Sequence, residues 1–250
     1  MKAPSSFAGP MATSDQSKGI FRPEHNKPAK GKLIVLPEFE NADIFKSVAY
    51  TELLDNRRSK RDYDDKAQMT QKQLAFMLWS AQGIQGYRGA GDVAVIKPVP
   101  CGGARHPFEL YFVVQNVEGL EQGLYRYIPN ENVGEKIVTI EFLKTFDNYK
   151  EQINIMTADQ KWANNASIVM FFTCLPYRSE WRYVHMAHRV MLIDLGHIGQ
   201  NVMLSATALG LGSCCLAAYS QQACDELLEI DGVDEYTVYA IPVGIIRQTN

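Results

Sequence analysis

The chain has 250 residues, 46% apolar and 21% charged, with a net charge of −3, enough to bury one full core. It carries no basic run or stripe, which argues against a nucleic-acid partner, and no apolar stretch of the roughly 20 residues that a membrane span needs. Five cysteines without a C-x-x-C pair speak for reduced thiols rather than a disulfide framework or a zinc site.

Residues 1–37 hold five of the eleven prolines among scattered Ser, Gly and Lys, with no sustained apolar period, and are expected to be an extended or disordered lead-in. The first fourteen residues, MKAPSSFAGPMATS, lack the continuous apolar core of a secretory signal, so the expected location is the cytoplasm. The folded domain is expected over 38–250. Ile44, Phe45, Val48, Ala49 and Leu53 predict a helix over 44–56, and Thr70 is placed to cap a second one carrying Leu74, Met77, Leu78 and Ala81, stopped by Gly83 and Gly86. Strands are expected over 109–117, 123–128, 166–175 and 236–246, all rich in β-branched and aromatic residues. Between the last two, residues 180–209 are free of proline and apolar around most of a helical circumference (Val184, Met191, Leu192, Leu195, Ile198, Val202, Met203, Ala206, Leu209). Such a helix must be buried on several sides, in a large core or, as favoured here, against a second copy of the chain. Helices and strands do not alternate strictly and no G-x-G-x-x-G follows a strand, so the expected class is α+β rather than a doubly wound dinucleotide fold.

Three segments carry candidate chemistry. Arg57-Arg58-Ser59-Lys60-Arg61 gathers three guanidinium groups, an ammonium and a hydroxyl; planar Arg forks suit phosphate oxygens, while a solvated basic surface after a helix is the plainer alternative. Pro100-Cys101-Gly102-Gly103-Ala104-Arg105-His106-Pro107 is small enough to let the backbone approach a flat ring or phosphate, or is simply a turn. Ala208-Leu209-Gly210-Leu211-Gly212-Ser213, continuing through Ala217 and Ala218, ends one helix at glycine and can present backbone N–H groups near the start of the next, or is a plain connector between helices.

In this order and spacing, together with Leu36-Pro37, Trp79-Ser80-Ala81-Gln82-Gly83, Gly123-Leu124-Tyr125-Arg126-Tyr127 and Asp194-Leu195-Gly196-His197-Ile198-Gly199-Gln200-Asn201, the segments resemble the nitroreductase-like superfamily of FMN-dependent oxidoreductases. The resemblance is to its SagB-type, thiazoline-oxidase-like branch, and covers residues 32–244. It implies an α+β fold with a mixed central sheet flanked by helices, a homodimer, and FMN at the subunit interface. It also implies that Arg57, Arg58, Ser59 and Arg61 hold the ribityl chain, phosphate and pyrimidine edge, and that Pro100, Cys101, Gly102 and Gly103 line the isoalloxazine. The backbone N–H groups of Ala217 and Ala218 then face flavin N5 and O4 from the other subunit. Cys101 stands where the branch usually has Ser, Ala104 where a flavin-contacting Asn is common, and Arg247 is the only late cation available to the phosphate.

The function implied is two-electron, ping-pong hydride transfer at flavin N5. Its substrates are either NAD(P)H with a quinone or nitro compound, or an azoline-like heterocycle of a small molecule or modified peptide. No side chain is assigned a catalytic role, because the flavin performs the hydride chemistry. The alternative is a flavin-binding accessory or scaffold subunit with little activity of its own. His185, His188 and His197 lack a metal-binding signature and are expected at the dimer interface; Cys214-Cys215 reads as two small thiols in a tight connector.

Overall fold

The computed structural model of the chain describes residues 11–40, 44–45, 49–130 and 135–248. A seven-stranded sheet forms its centre, in the order β1 (Lys32–Val35), β6 (Thr139–Lys144), β5 (Gly123–Ile128), β4 (Phe108–Val114), β7 (Ile168–Cys174), β9 (Tyr236–Ile245), β8 (Leu211–Ser213). A separate hairpin pairs β2 (Gly86–Arg88) with β3 (Ala94–Ile96). Every ladder of the large sheet is antiparallel. The mixed character implied by the resemblance is confined to isolated parallel bridges, one of which, Ser59 with Ser213, lies at the site described below.

Strands β4 and β7 are buried along their whole length, which is why they read as unbroken apolar runs. Phe108, Leu110, Phe112 and Val114 enter a core shared with α2 (Gln71–Gln82) and α5 (Ala187–Ala208), whereas Tyr111 and Val113 enter a second core beneath α3 (Tyr149–Met156) and α6 (Gln221–Leu228). Helix α2 starts at Thr70, whose hydroxyl accepts from Gln73 N at 3.2 Å while the Gln73 side chain accepts from Thr70 N at 3.0 Å, and it ends at Gly83 as expected. Helix α6 starts with a single cap rather than a box, Ser220 Oγ accepting from Ala223 N.

Three expectations are corrected. The segment read as an extended or disordered lead-in is docked over residues 11–37, and it contributes β1, paired to β6 from Lys32 to Val35. Leu36 is buried in the core with Ile34 packed against it, and the rest of the anchor is polar. Lys27 N donates to Glu109 Oε1 at 3.0 Å and Lys27 Nζ to Tyr111 at 2.8 Å and to Glu235, while Lys30 and Gly31 donate their N–H groups to Glu141. Residues 1–10 lie outside the described residues. The helix expected over 44–56 is observed as α1 (Tyr50–Asn56), and Val48 of that expectation also lies outside them. The helix expected without interruption over 180–209 is two, α4 (Tyr177–Tyr183) and α5, because Val184 turns to φ 51° between them, a conformation a β-branched residue adopts at a cost.

Helix α5 buries Leu195, Ile198, Val202 and Ala206 but leaves Leu192 (69% exposed) and Ile193 (53%) on its open face. Beside it, α1 packs with Tyr50 and Leu54 exposed. No helix among the described residues is long and apolar enough to cross a membrane.

Candidate active site

The basic segment at 57–61 follows α1 directly and runs along the edge of the large sheet, beside β8. Ser59 bridges to Ser213, and Lys60 N donates to Ser213 O at 3.0 Å. The glycine-containing stretch after α5 is therefore not a connector between two helices: Leu211–Ser213 is a short strand paired to β9 through Leu211 with Ile245, Gly212 with Gly244 and Ser213 with Val243. Gly212 has no room for a side chain, since a Cβ there would meet Lys60 Cβ at 2.9 Å and Ile246 at 3.0 Å. Backbone pairing within one chain thus joins two of the three segments singled out in the sequence. The expectation that the stretch bearing Ala217 and Ala218 reaches the basic segment's ligand from the other subunit is not needed to bring them together.

Around that seam, Arg57 is half-buried, while Arg58, Ser59 and Arg61 are exposed. Arg58 Nη1 donates to Arg57 O at 2.7 Å, and Arg61 lies over the Trp162 ring at 5.6 Å. Among the described residues no carboxylate forms an ion pair with Arg57, Arg58 or Arg61. Arg247 is differently placed. It donates to Asp62 Oδ1 at 3.2 Å and to Tyr63 O at 2.9 Å, with Asp65 at 3.7 Å, so its charge is spent on carboxylates next to the cluster. Ala217 and Ala218 are exposed, just past Leu216, which is tied to Ala240 of β9.

Cys214 is buried and Cys215 half-buried, both as free thiols. Cys215 reaches Gly199 O on α5 at 3.8 Å, an approach that needs glycine because a Cβ at Gly199 would stand 3.2 Å from the sulfur and 2.8 Å from Tyr239. Burial pushes the Cys215 thiol up, opposed by the Tyr239 hydroxyl and raised further by Cys214, with Arg57 pulling the other way.

The third segment lies along the same helix. Gly102 N donates to both Asp194 oxygens, at 3.0 and 3.1 Å, and Cys101 Sγ donates to Asp194 Oδ2 at 3.0 Å. Pro100 is exposed, and Gly103 (φ 59°) sits where a Cβ would meet the Tyr183 hydroxyl at 2.6 Å and Arg182 at 2.9 Å. Asp194 and Gly199 are five residues apart on α5, about 7.5 Å along the axis at 1.5 Å per residue, so one helix carries the contacts of both halves of the site. Behind the turn, Lys97 is buried and donates to Gln82 Oε1 at 2.8 Å; burial pulls its ammonium down to about 8. His106 Nε2 lies 3.0 Å from Val95 O, and burial with Lys97 nearby pulls the ring down to about 2, so it stays neutral. His185, His188 and His197 are exposed, near or on the open face of α5.

Sequence reasoning quoted Asp194, Arg182 and Tyr183 only as part of a motif or a helix. The available signal for Asp194 was its position: an acid between Ile193 and Leu195 on a helix that must be buried needs a partner. Arg182 and Tyr183 offered no comparable signal, because their approach to Gly103 depends on the turn at Val184.

Residues 54–245 match the nitroreductase family. The chain belongs to that family. The nitroreductase-family chain is 30% identical over 211 residues to "Putative nitroreductase MJ1384" of Methanocaldococcus jannaschii, covering 84% of this chain and 95% of that protein. It is 31% identical over 149 residues to the trifolitoxin-processing protein TfxB of Rhizobium leguminosarum bv. trifolii, covering 59% of this chain and 39% of that one. Among solved structures, the E. coli microcin synthetase McbBCD complex with truncated pro-MccB17 bound shares the fold with a TM-score of 0.61 at 19% identity, over 83% of this chain and 77% of the matched chain. The family match and the likeness to the M. jannaschii protein make the chain an oxidoreductase of a family whose members are in general flavin-dependent.

The close packing of the turn gives a direct expectation. A Cβ at Gly102 would stand 2.2 Å from Val190 Cγ1, so Gly102→Ala should push the turn away from α5 and cost about 1–3 kcal/mol. Thermal melting of the variant checks it, and a Tm equal to wild type would show that the turn has slack.

Proposed function

We propose that the chain binds FMN and uses it for two-electron oxidoreduction as a homodimer. The phosphate and ribityl chain lie on Arg57, Arg58, Ser59 and Arg61, the ring beside Pro100, Cys101, Gly102 and Gly103, and the backbone N–H groups of Ala217 and Ala218 face its N5 edge. The observation that carries this reading is the Ser59–Ser213 pairing, which sets three guanidinium groups, without carboxylate partners among the described residues, against an open backbone segment. A donor set of that kind suits a phosphate, which accepts bidentate, charge-assisted hydrogen bonds. Arg247 acts indirectly, neutralising Asp62 and Asp65 beside the cluster.

FMN bound there supplies hydride transfer at N5. The chain's own part is to fix the phosphate, to press a narrow glycine turn against the ring, and to exclude water with α5 and its exposed apolar stripe. Leu192, Ile193, Tyr50 and Leu54 fit a second copy of the chain, whose approach would cover them. Five free thiols fit a reducing, cytoplasmic setting.

Two substrate classes suit a ping-pong cycle at one ring face: NAD(P)H with a quinone or nitro compound, and an azoline-like heterocycle in a small molecule or modified peptide. The likeness to TfxB, named for trifolitoxin processing, favours the second. The deciding experiment is a visible spectrum of the purified protein with chromatography of what denaturation releases. FMN at about one per chain is expected; a colourless protein that also takes up no added FMN overturns the proposal. Turnover of NADH with a quinone then selects the first substrate class. A flavin bleached by dithionite but by no organic donor turns the reading toward an accessory subunit.

A further inference from the structure

Residues 101–106 form a strained turn. Gly103 (φ 59°), Ala104 (φ 52°) and His106 (φ 43°) all take left-handed backbone angles, and two of them pay for a Cβ there. Arg105 and His106 tie its far end to Arg178, Val93 and Val95, while its near end is held through Cys101 and Gly102. Ala104 N donates to Cys101 O at 3.0 Å and His106 N to Cys101 Sγ at 3.1 Å, which closes the turn on Cys101. Cys101 and Gly102 are in turn fixed to α5 by Asp194 alone, through the thiol and the Gly102 N–H. Asp194 is itself 4% exposed, and burial raises its carboxyl against the hydrogen bonds from Cys101 and Gly102.

We infer that Asp194 is a positioning residue: its carboxylate holds the Cys101–Gly102 backbone in the shape a flavin ring needs and suppresses thiolate formation at Cys101. The inference rests on the flavin reading above for its purpose, but not for its geometry. A carboxylate about 3 Å from the sulfur repels a thiolate, and the surroundings are too dry to screen it. Burial first, and Asp194 second, push the Cys101 thiol up to about 12. The other charged or titratable groups facing it are Lys97 and Arg105 flanking the turn, Tyr183 on α4 and Cys174 on β7, with His197 near Asp194. A flavin-facing turn gains from this arrangement, because a neutral thiol neither attacks the electron-poor oxidised ring nor repels the negative charge that the ring gains on reduction.

The test is the rate of Cys101 alkylation by iodoacetamide between pH 7 and 10, resolved by peptide mass spectrometry, in wild type and Asp194→Asn. Wild type should show a rate still climbing at pH 10. Asp194→Asn removes the negative charge, so more thiolate exists at any given pH; labelling at pH 8 should rise at least about tenfold and the whole profile should move to lower pH. Equal profiles overturn the inference, and so does faster labelling with no fall in the midpoint of the thiolate's ultraviolet titration, which reports exposure alone. If the variant does not fold, wild type still decides: a plateau in the ordinary thiol range overturns it. In FMN-loaded protein the variant should also shift the visible flavin bands. Wild type that retains no FMN defeats the proposed function, while the labelling profiles still decide the role of Asp194.

Discussion

Replacing Arg57 and Arg58 together by Gln should weaken FMN binding by about 150-fold. The two guanidinium groups follow α1 directly and sit beside the Ser59–Ser213 seam, with no carboxylate ion pair among the described residues. Each charge-assisted hydrogen bond to a phosphate is worth about 1.5 kcal/mol at the low end, so losing two costs about 3 kcal/mol, and every 1.4 kcal/mol is tenfold in affinity. Fluorescence titration of apoprotein with FMN measures the effect. Removing the same charge from two lysines elsewhere, Lys18 and Lys32, should change affinity by less than about threefold, since well-separated exposed charges are screened in physiological salt. Equal losses in the two double variants would mean that overall charge, not a built phosphate site, attracts the cofactor.

Glu109→Ala should be the most damaging single change away from the proposed cofactor site. Glu109 Oε1 accepts from Arg178 Nη2 at 2.7 Å and from Lys27 N at 3.0 Å, and both Glu109 (3% exposed) and Arg178 (4%) are buried. Removing the acid leaves a buried guanidinium without its partner, for a loss of about 3–5 kcal/mol, or roughly 10 °C in Tm for a domain of this size. It also removes one of the three contacts by which Lys27 holds the N-terminal segment, leaving those to Tyr111 and Glu235. The double variant Glu109→Leu with Arg178→Met should recover most of the loss, because an apolar pair of similar volume carries no desolvation penalty. A single variant that melts within about 2 °C of wild type would show that the pair organises nothing.

The parts of the fold that sequence made legible are those whose signal is local. Strand β5 was read to the residue because Gly123 starts a compact aromatic run, and the start of α2 was read from Thr70, which in the structure closes a box with Gln73. Strand β1 was missed because Leu33 and Val35 point outward from an edge and Ile34 alone packs inward, so no period survives. Strand β6 was missed because Glu141, a charge at a strand centre, is buried against Arg126 on β5, at 2.7 Å. An ion pair across strands cannot be seen in either strand alone.

The site shows the same division. The motif at 57–61 and the glycine turn at 101–103 could be singled out by residue type, but which half lies beside which depended on pairing across more than 150 residues of chain, Ser59 with Ser213. The stretch after α5 was left open between a plain connector and a segment presenting backbone N–H groups, since three residues, Leu211, Gly212 and Ser213, are too few to show an alternating pattern. Val184 misled for a related reason: its apolar side chain continues the helical stripe while its backbone ends it.

The docking of residues 11–37 has a consequence for how the chain is made. Synthesis delivers this segment before the strands it joins, so Lys32 must wait for Phe142, Gly31 for Glu141, and Lys27 for Glu235, more than 200 residues later. Sheet assembly therefore cannot follow the ribosome from one end to the other. The central hairpin of β4 and β5 can close while translation continues, whereas residues 11–37, made earlier, are among the last to settle, and until then β6 presents an open edge to any neighbouring chain.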